Sequence, residues 1–162
     1  MDLKDWSLEQ IETLIARYRQ RGVTEGGPFA LSELVLEEKR RAPSNFRGAD
    51  VVNAIVALAR KASDGFITYG ELYKLLSGGL EWKGNATQRQ MGLALERGIA
   101  YCVENRLPIL TVLVVKKTGS HSPEAVHRIY KEARDMDLDV GLNAASYVRA
   151  QVVSSKEFVM RQ

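Results

Sequence analysis

Few side chains in this sequence are placed to make or break bonds. His121 and His127 flank the start of a predicted helix, with Glu124 three residues before the second. Six positions apart on a helix, two imidazoles point to different faces, which disfavours a two-histidine metal site. His121 with Glu124 is a formal acid/base pair for a hydrolase. The competing reading, a surface-loop histidine beside a carboxylate at a helix start, is the one adopted. Cys102 falls on the apolar side of a helical pattern, the position of an inert core thiol rather than a nucleophile. There is no glycine-rich phosphate loop, no H-E-x-x-H and no G-x-S-x-G. The expectation is no catalytic residue, no metal and no cofactor.

The remaining chemistry is that of holding a polyanion. The 162 residues carry 23 Lys+Arg against 20 Asp+Glu, a net charge of only +3, but the excess is localised. Residues 51–120 hold nine basic and five acidic side chains, whereas 1–50 hold eight and nine, and 121–162 hold six of each. A docked polyanion would therefore meet the middle of the chain. Lys116 and Lys117 lie in a polar turn and would touch phosphates if that turn rests on nucleic acid; otherwise they are an ordinary soluble hairpin tip. Arg60, Lys61, Lys83 and Arg97 would widen the patch. Trp82, in a Gly-containing loop, is either a stacking platform for a base or an anchoring core side chain.

These groups need elements to position them. Ser7 with Gln10 and Thr68 with Glu71 read as capping boxes opening helices, and Thr87 with Gln90 reads as a third. Leu8, Ile11, Leu14, Ile15 and Tyr18 recur at helical spacing until Gly22 stops the run. Leu31, Leu34 and Val35 start a second helix, whose end, Glu37 to Arg41, reads as a solvated charge run. Asp50 is placed to cap a third helix bearing Val51, Val52, Ile55, Leu58 and Ala59. Met91, Leu95, Ile99, Cys102 and Val103 define one buried face of a long helix running to about Asn105. Phe66 to Thr68 is short and extended, and Ile109 to Val115 is β-prone and long enough for a core strand. Ser122-Pro123 marks the start of a helix to about Met136, followed by an acidic linker through Asp135, Asp137 and Asp139. Residues 143–160 fit helix or strand equally.

The segment from Phe66 onward resembles the DNA-binding domain of the alkylguanine-DNA alkyltransferases and their alkyltransferase-like relatives. Ile67-Thr68-Tyr69-Gly70-Glu71-Leu72 looks like that family's Y-G-E-L turn into a helix. Thr87-Gln88-Arg89-Gln90-Met91-Gly92-Leu93-Ala94-Leu95 is similar to its A-x-R-x-V-G-x-A-L recognition helix. Asn105-Arg106-Leu107-Pro108-Ile109-Leu110 is similar to its N-x-x-P-I-L lead into a strand, and Val114-Val115 followed by Gly119 to the turn beyond. The match spans roughly residues 66–120, about a third of the chain. It implies that Tyr69 and Arg89 stand where the family keeps its nucleotide-flipping tyrosine and arginine. Against that stands a structural role, with Tyr69 packed at the helix start and Arg89 solvated. The family's P-C-H-R is absent: its acceptor cysteine falls at Leu113 or Thr111, depending on the direction of alignment. Neither side chain accepts an alkyl group as a thiolate does, so alkyl transfer is not expected.

The expected fold is α+β and mostly helical, with a small two- or three-stranded sheet. One domain over 1–162 would comprise an N-terminal helical layer (1–48), a winged-helix-like core (49–120) and a closing segment (121–162). Length, 45% hydrophobic residues and a single cysteine exclude a disordered chain and a disulfide scaffold. No apolar run nears the ~20 residues of a membrane span, and Met1 to Asp5 lacks the start of a signal peptide, so a cytoplasmic location is expected. The functional expectation is a non-catalytic nucleic-acid-binding protein, with duplex DNA as ligand. The alternative is a small accessory or regulatory module of the phage or operon kind, in which residues 1–40 supply a protein-partner or homodimer face.

Overall fold

A computed structural model describes residues 1–162. Helix α1 (Leu8–Arg21) opens on a reciprocal cap. Ser7 Oγ accepts from the Gln10 amide, Gln10 Oε1 accepts from the Ser7 amide, and Gly22 closes the helix at φ +65°. Helix α2 (Leu31–Arg41) packs on α1, and Ile11, Ile15, Leu31, Leu34 and Val35 all enter one apolar core. The main apolar stripe of the N-terminal pair is thus spent on the core.

Helix α3 (Gly48–Lys61) starts two residues ahead of Asp50. Arg47 is its N-cap and Asp50 pairs with it at 3.1 Å, so Asp50 complements the first turn rather than capping it. Strand β1 (Ile67–Thr68) leads into α4 (Tyr69–Leu76) through the expected Thr68–Glu71 capping box. Helix α5 (Gly84–Glu104) begins three residues before Thr87, so Thr87 and Gln90 are not its cap. The Thr87 hydroxyl instead accepts the Lys83 amide at 2.9 Å from within the first turns, still satisfying an orphan donor at the helix start. Met91, Leu95, Ile99 and Cys102 face the core as their spacing requires.

The β-prone run Ile109–Val115 is wholly buried but is not a seven-residue strand. It forms a 3-10 turn (Leu110–Leu113) and a two-residue strand β2 (Val114–Val115). It threads between α3, α5 and the last helix, α7 (Ala144–Met160), where no sheet neighbour exists for most of its length. Side chains supply hydrogen bonds instead. Gln151 Oε1 accepts from Ile109 N–H at 2.9 Å, Ser155 Oγ donates to the Ile109 carbonyl at 3.3 Å, and His121 Nε2 lies 2.6 Å from the Val112 carbonyl. β1 and β2 pair in parallel, Ile67 with Val114 and Thr68 with Val115, with α4 and α5 as the crossover a parallel pair demands. The protein is therefore mostly helical α+β with the smaller, two-stranded sheet. The basic turn after β2 is closed by the Lys116 amide to the Ser120 carbonyl at 3.0 Å, with no ladder of its own.

Helix α6 (Pro123–Asp135) has Ser122 as N-cap and Pro123 at its first position, as expected. The segment that fitted helix or strand is helix α7, capped by Asn143 Oδ1 on the Ser146 amide. The charge run at the end of α2 is not simply solvated. Glu37 and Lys39 are buried: Glu37 takes both Arg40 and Arg41, and Lys39 Nζ lies 2.8 Å from Glu96 on α5 and 3.8 Å from Glu132 on α6. Asp135, read as part of a linker, ends α6 and holds Arg19 of α1 at 2.9 Å. No helix is long and apolar enough to cross a membrane.

Candidate nucleic-acid interface

Capping sets the phase of three helices and so decides what meets between them. The Thr68 box places Tyr69 at the first position of α4, the loop before α5 delivers Trp82, and the Ser122 cap turns Ala125 of α6 inward. One turn on from Ala125, Arg128 comes to lie across α5. A Cβ on Gly92 would stand 3.7 Å from its Nη1, ordinary contact distance, so the guanidinium rests against this turn of α5. These elements enclose a groove of about 440 Å³, walled by Tyr69, Trp82, Gln88 and Arg128, floored by Met91 and Leu95, and rimmed by Lys116 and Glu124. A more open depression of about 640 Å³ shares Gln88, Gly92 and Arg128 with it and continues to Asn85, Arg89 and Leu93.

Tyr69, Trp82, Lys116 and Arg89 are thus brought to one continuous surface. Lys83 adjoins Trp82 as the N-cap of α5, and Lys117 follows Lys116 in the turn. Arg60 is not part of it. It lines a separate hollow of about 390 Å³ with Asp64, Lys156 and Val159, at the end of α3 against α7. Arg128 is the residue that sequence reasoning missed. It falls in register with the buried positions Ala125, Ile129 and Glu132 on a helix whose cap was legible, but only the packing of α6 on α5 brings it to the groove. No carboxylate lies within 4 Å of Arg89, Arg128, Lys83, Lys116 or Lys117, whereas Arg19, Arg40, Arg41 and Arg47 are all ion-paired.

The groove carries both aromatic surface and charge. Tyr69 is half-buried, and burial holds its hydroxyl above the usual phenolic range, opposed by the Arg128 cation. Trp82 is anchored on one side, edge-on against Tyr73 at 5.8 Å between centroids, while 39% of the residue stays exposed. Glu124 is the one acidic group in the groove itself. His121 and Glu124 have separate tasks. His121 is half-buried, bonded to the Val112 carbonyl and edge-on to Phe66 at 6.4 Å, and Glu124 is exposed on the rim. Cys102 is fully buried and burial pushes its thiol up to about 12, the behaviour of a core residue. Thr111 and Leu113, the two positions aligned with an acceptor cysteine, are buried and line neither hollow.

Gly70 has no packing reason to be glycine. A Cβ there would meet nothing nearer than Thr68 Oγ1 at 4.0 Å, within a helical turn. Gly70→Ala is therefore expected to raise stability by about 0.5–1 kcal/mol, read from the urea midpoint at unchanged slope.

Comparison with known proteins returned no matching family model, no matching curated protein and no matching solved structure.

Proposed function

We propose that this chain is a non-catalytic nucleic-acid-binding protein that seats duplex DNA against the surface formed by α4, α5, the start of α6 and the Lys116–Ser120 turn. The observation that carries the reading is the gathering of unpaired cations around an aromatic groove. Arg128, Arg89, Lys116, Lys117 and Lys83 lie on or beside it without carboxylate partners, and Glu124 is the one acid lining the groove. A phosphate backbone is the ligand that such a spread of single charges fits, because each neutralised phosphate releases condensed counterions. Tyr69 and Trp82 add surfaces against which sugars or bases pack. Within this reading α4 and α5 act as the helical pair of a winged-helix-like unit, with Tyr69 at the start of one and Arg89 in the second turn of the other. The alkyltransferase-like order of motifs supports the same assignment, with binding kept and the alkyl acceptor absent.

Fluorescence anisotropy with a labelled duplex tests this across a salt series. Affinity is expected to fall steeply as salt rises, with a log–log slope of about −0.9 per phosphate neutralised. Arg128→Ala is expected to weaken binding about tenfold on every sequence and to lower the slope by about one. Arg60→Ala, away from the groove, is expected to leave both unchanged. Absence of binding to any duplex at about 50 mM salt would overturn the reading.

A further inference from the structure

The loop between α4 and α5 presents apolar side chains to solvent, directly beside the cationic groove. Leu80 is 62% exposed and Leu75, at the end of α4, is 49% exposed, and Trp82, two residues after Leu80, lines the groove. The loop is built to project. Gly78 and Gly79 adopt φ of +71° and +102°, and the Leu80 amide is tied to Ser77 Oγ at 3.1 Å. Trp82 is braced from behind, edge-on to Tyr73, which is itself edge-on to Phe46 at 6.5 Å. Exposed leucine and tryptophan two residues apart on a braced loop give apolar surface of the kind a ligand covers. The setting specifies that ligand: Lys74 precedes the loop in the chain and Lys83 follows it, Lys116 and Arg128 line the groove with Trp82, and Glu81 is the only acid within the loop.

We infer that Leu80 and Trp82 form an apolar wedge that enters a base step of the bound duplex, unstacking it and kinking the DNA while the surrounding lysines hold the flanking phosphates. The inference rests on the nucleic-acid-binding reading. Apolar side chains beside a cationic groove match a duplex opened at one step, where exposed base faces lie between two rows of phosphates. A protein partner would instead leave the cations of the groove uncompensated unless it were strongly acidic.

The test uses the full-length chain and a duplex carrying 2-aminopurine at its centre, with donor and acceptor dyes at its ends. Binding is expected to raise 2-aminopurine fluorescence and shorten the end-to-end distance. Leu80→Ser, at an exposed position that the fold does not need, is expected to abolish most of the fluorescence rise with the salt slope unchanged. Trp82→Ala is expected to weaken binding about tenfold, the scale of one lost aromatic–base stack. Salt-dependent binding by wild type without unstacking or bending overturns the wedge and leaves DNA binding standing. Absence of binding overturns both. A Leu80→Ser variant that unstacks and bends like wild type also overturns the wedge, and a thermal melt of each variant confirms that the fold is retained.

Discussion

Lys39→Met is expected to destabilise the fold by about 3–5 kcal/mol, the cost of removing one partner from a buried ion pair. Lys39 lies between three helices. Its ammonium meets Glu96 of α5 at 2.8 Å, its own neighbour Glu38 at 3.2 Å and Glu132 of α6 at 3.8 Å. Methionine matches the stem but leaves three carboxylates facing each other, and Glu132 Oε2 already lacks a hydrogen-bond partner. Burial lowers the Lys39 pKa, but Glu132, Glu96 and Glu38 together outweigh it and hold the ammonium above its usual range. Burial likewise raises Glu132, opposed chiefly by Lys39.

The signs give a pH dependence. With its folded pKa above the usual 10.5, Lys39 contributes stability that is complete below 10.5 and is lost as pH rises through the folded value. Glu132, raised above 4.5, contributes stability that is present below 4.5 and is lost as pH rises through its folded pKa. In Lys39→Met the cation no longer holds that value down, so more of the variant's penalty comes from a charged Glu132. The penalty is expected to shrink on acidification toward pH 4.5 and to be largely relieved by adding Glu132→Gln. Urea unfolding of wild type, the single variant and the double variant at two pH values measures it. A penalty below about 1 kcal/mol at neutral pH would show that the cluster behaves as a surface network.

What the sequence disclosed of this fold was its local chemistry. Ser7 with Gln10, Thr68 with Glu71, and Ser122 with Pro123 each mark a helix start by satisfying donors within one turn, so nothing distant could overrule them. Ile109–Val115 misleads for the opposite reason. β-propensity measures fitness for a pleated surface beside neighbouring strands, and here Gln151, Ser155 and His121 hold the backbone in place of those strands. The solvated reading of Glu37 to Arg41 fails in the same way, since the partners of Lys39 lie on α5 and α6 and no local pattern announces them. Within the candidate interface Tyr69 was legible because it follows the Thr68 cap, whereas the start of α5, between Trp82 and Arg89, lies three residues before the Thr87 that reads as its cap. Arg128 was not legible, because its importance depends on how α6 crosses α5 at Gly92, a tertiary fact.

That dependence on helix crossings makes Gly48→Ala the second large effect, an expected loss of about 2–3 kcal/mol from overpacking. Gly48 opens α3 where that helix meets α5. A Cβ there would lie 2.6 Å from the Arg97 carbonyl oxygen and 3.0 Å from Tyr101 Cβ. The first is backbone in the middle of a 21-residue helix, so no rotamer change relieves it and the helices must separate. Gly98, on the facing side, has softer neighbours at 3.1 Å and 3.2 Å, Thr111 Cγ2 and Val51 Cγ1, so Gly98→Ala is expected to cost less than Gly48→Ala. Replacing a helical glycine by alanine would otherwise gain stability, as expected at Gly70, so a loss at Gly48 isolates the steric term. Because α5 carries Arg89 and the floor of the groove, the displacement has a second readout. Gly48→Ala is expected to weaken duplex binding at temperatures where the variant is still folded, whereas Gly70→Ala tightens the fold without moving α5. Equal urea midpoints for Gly48→Ala and wild type would show that α3 and α5 are not packed backbone to backbone at this crossing.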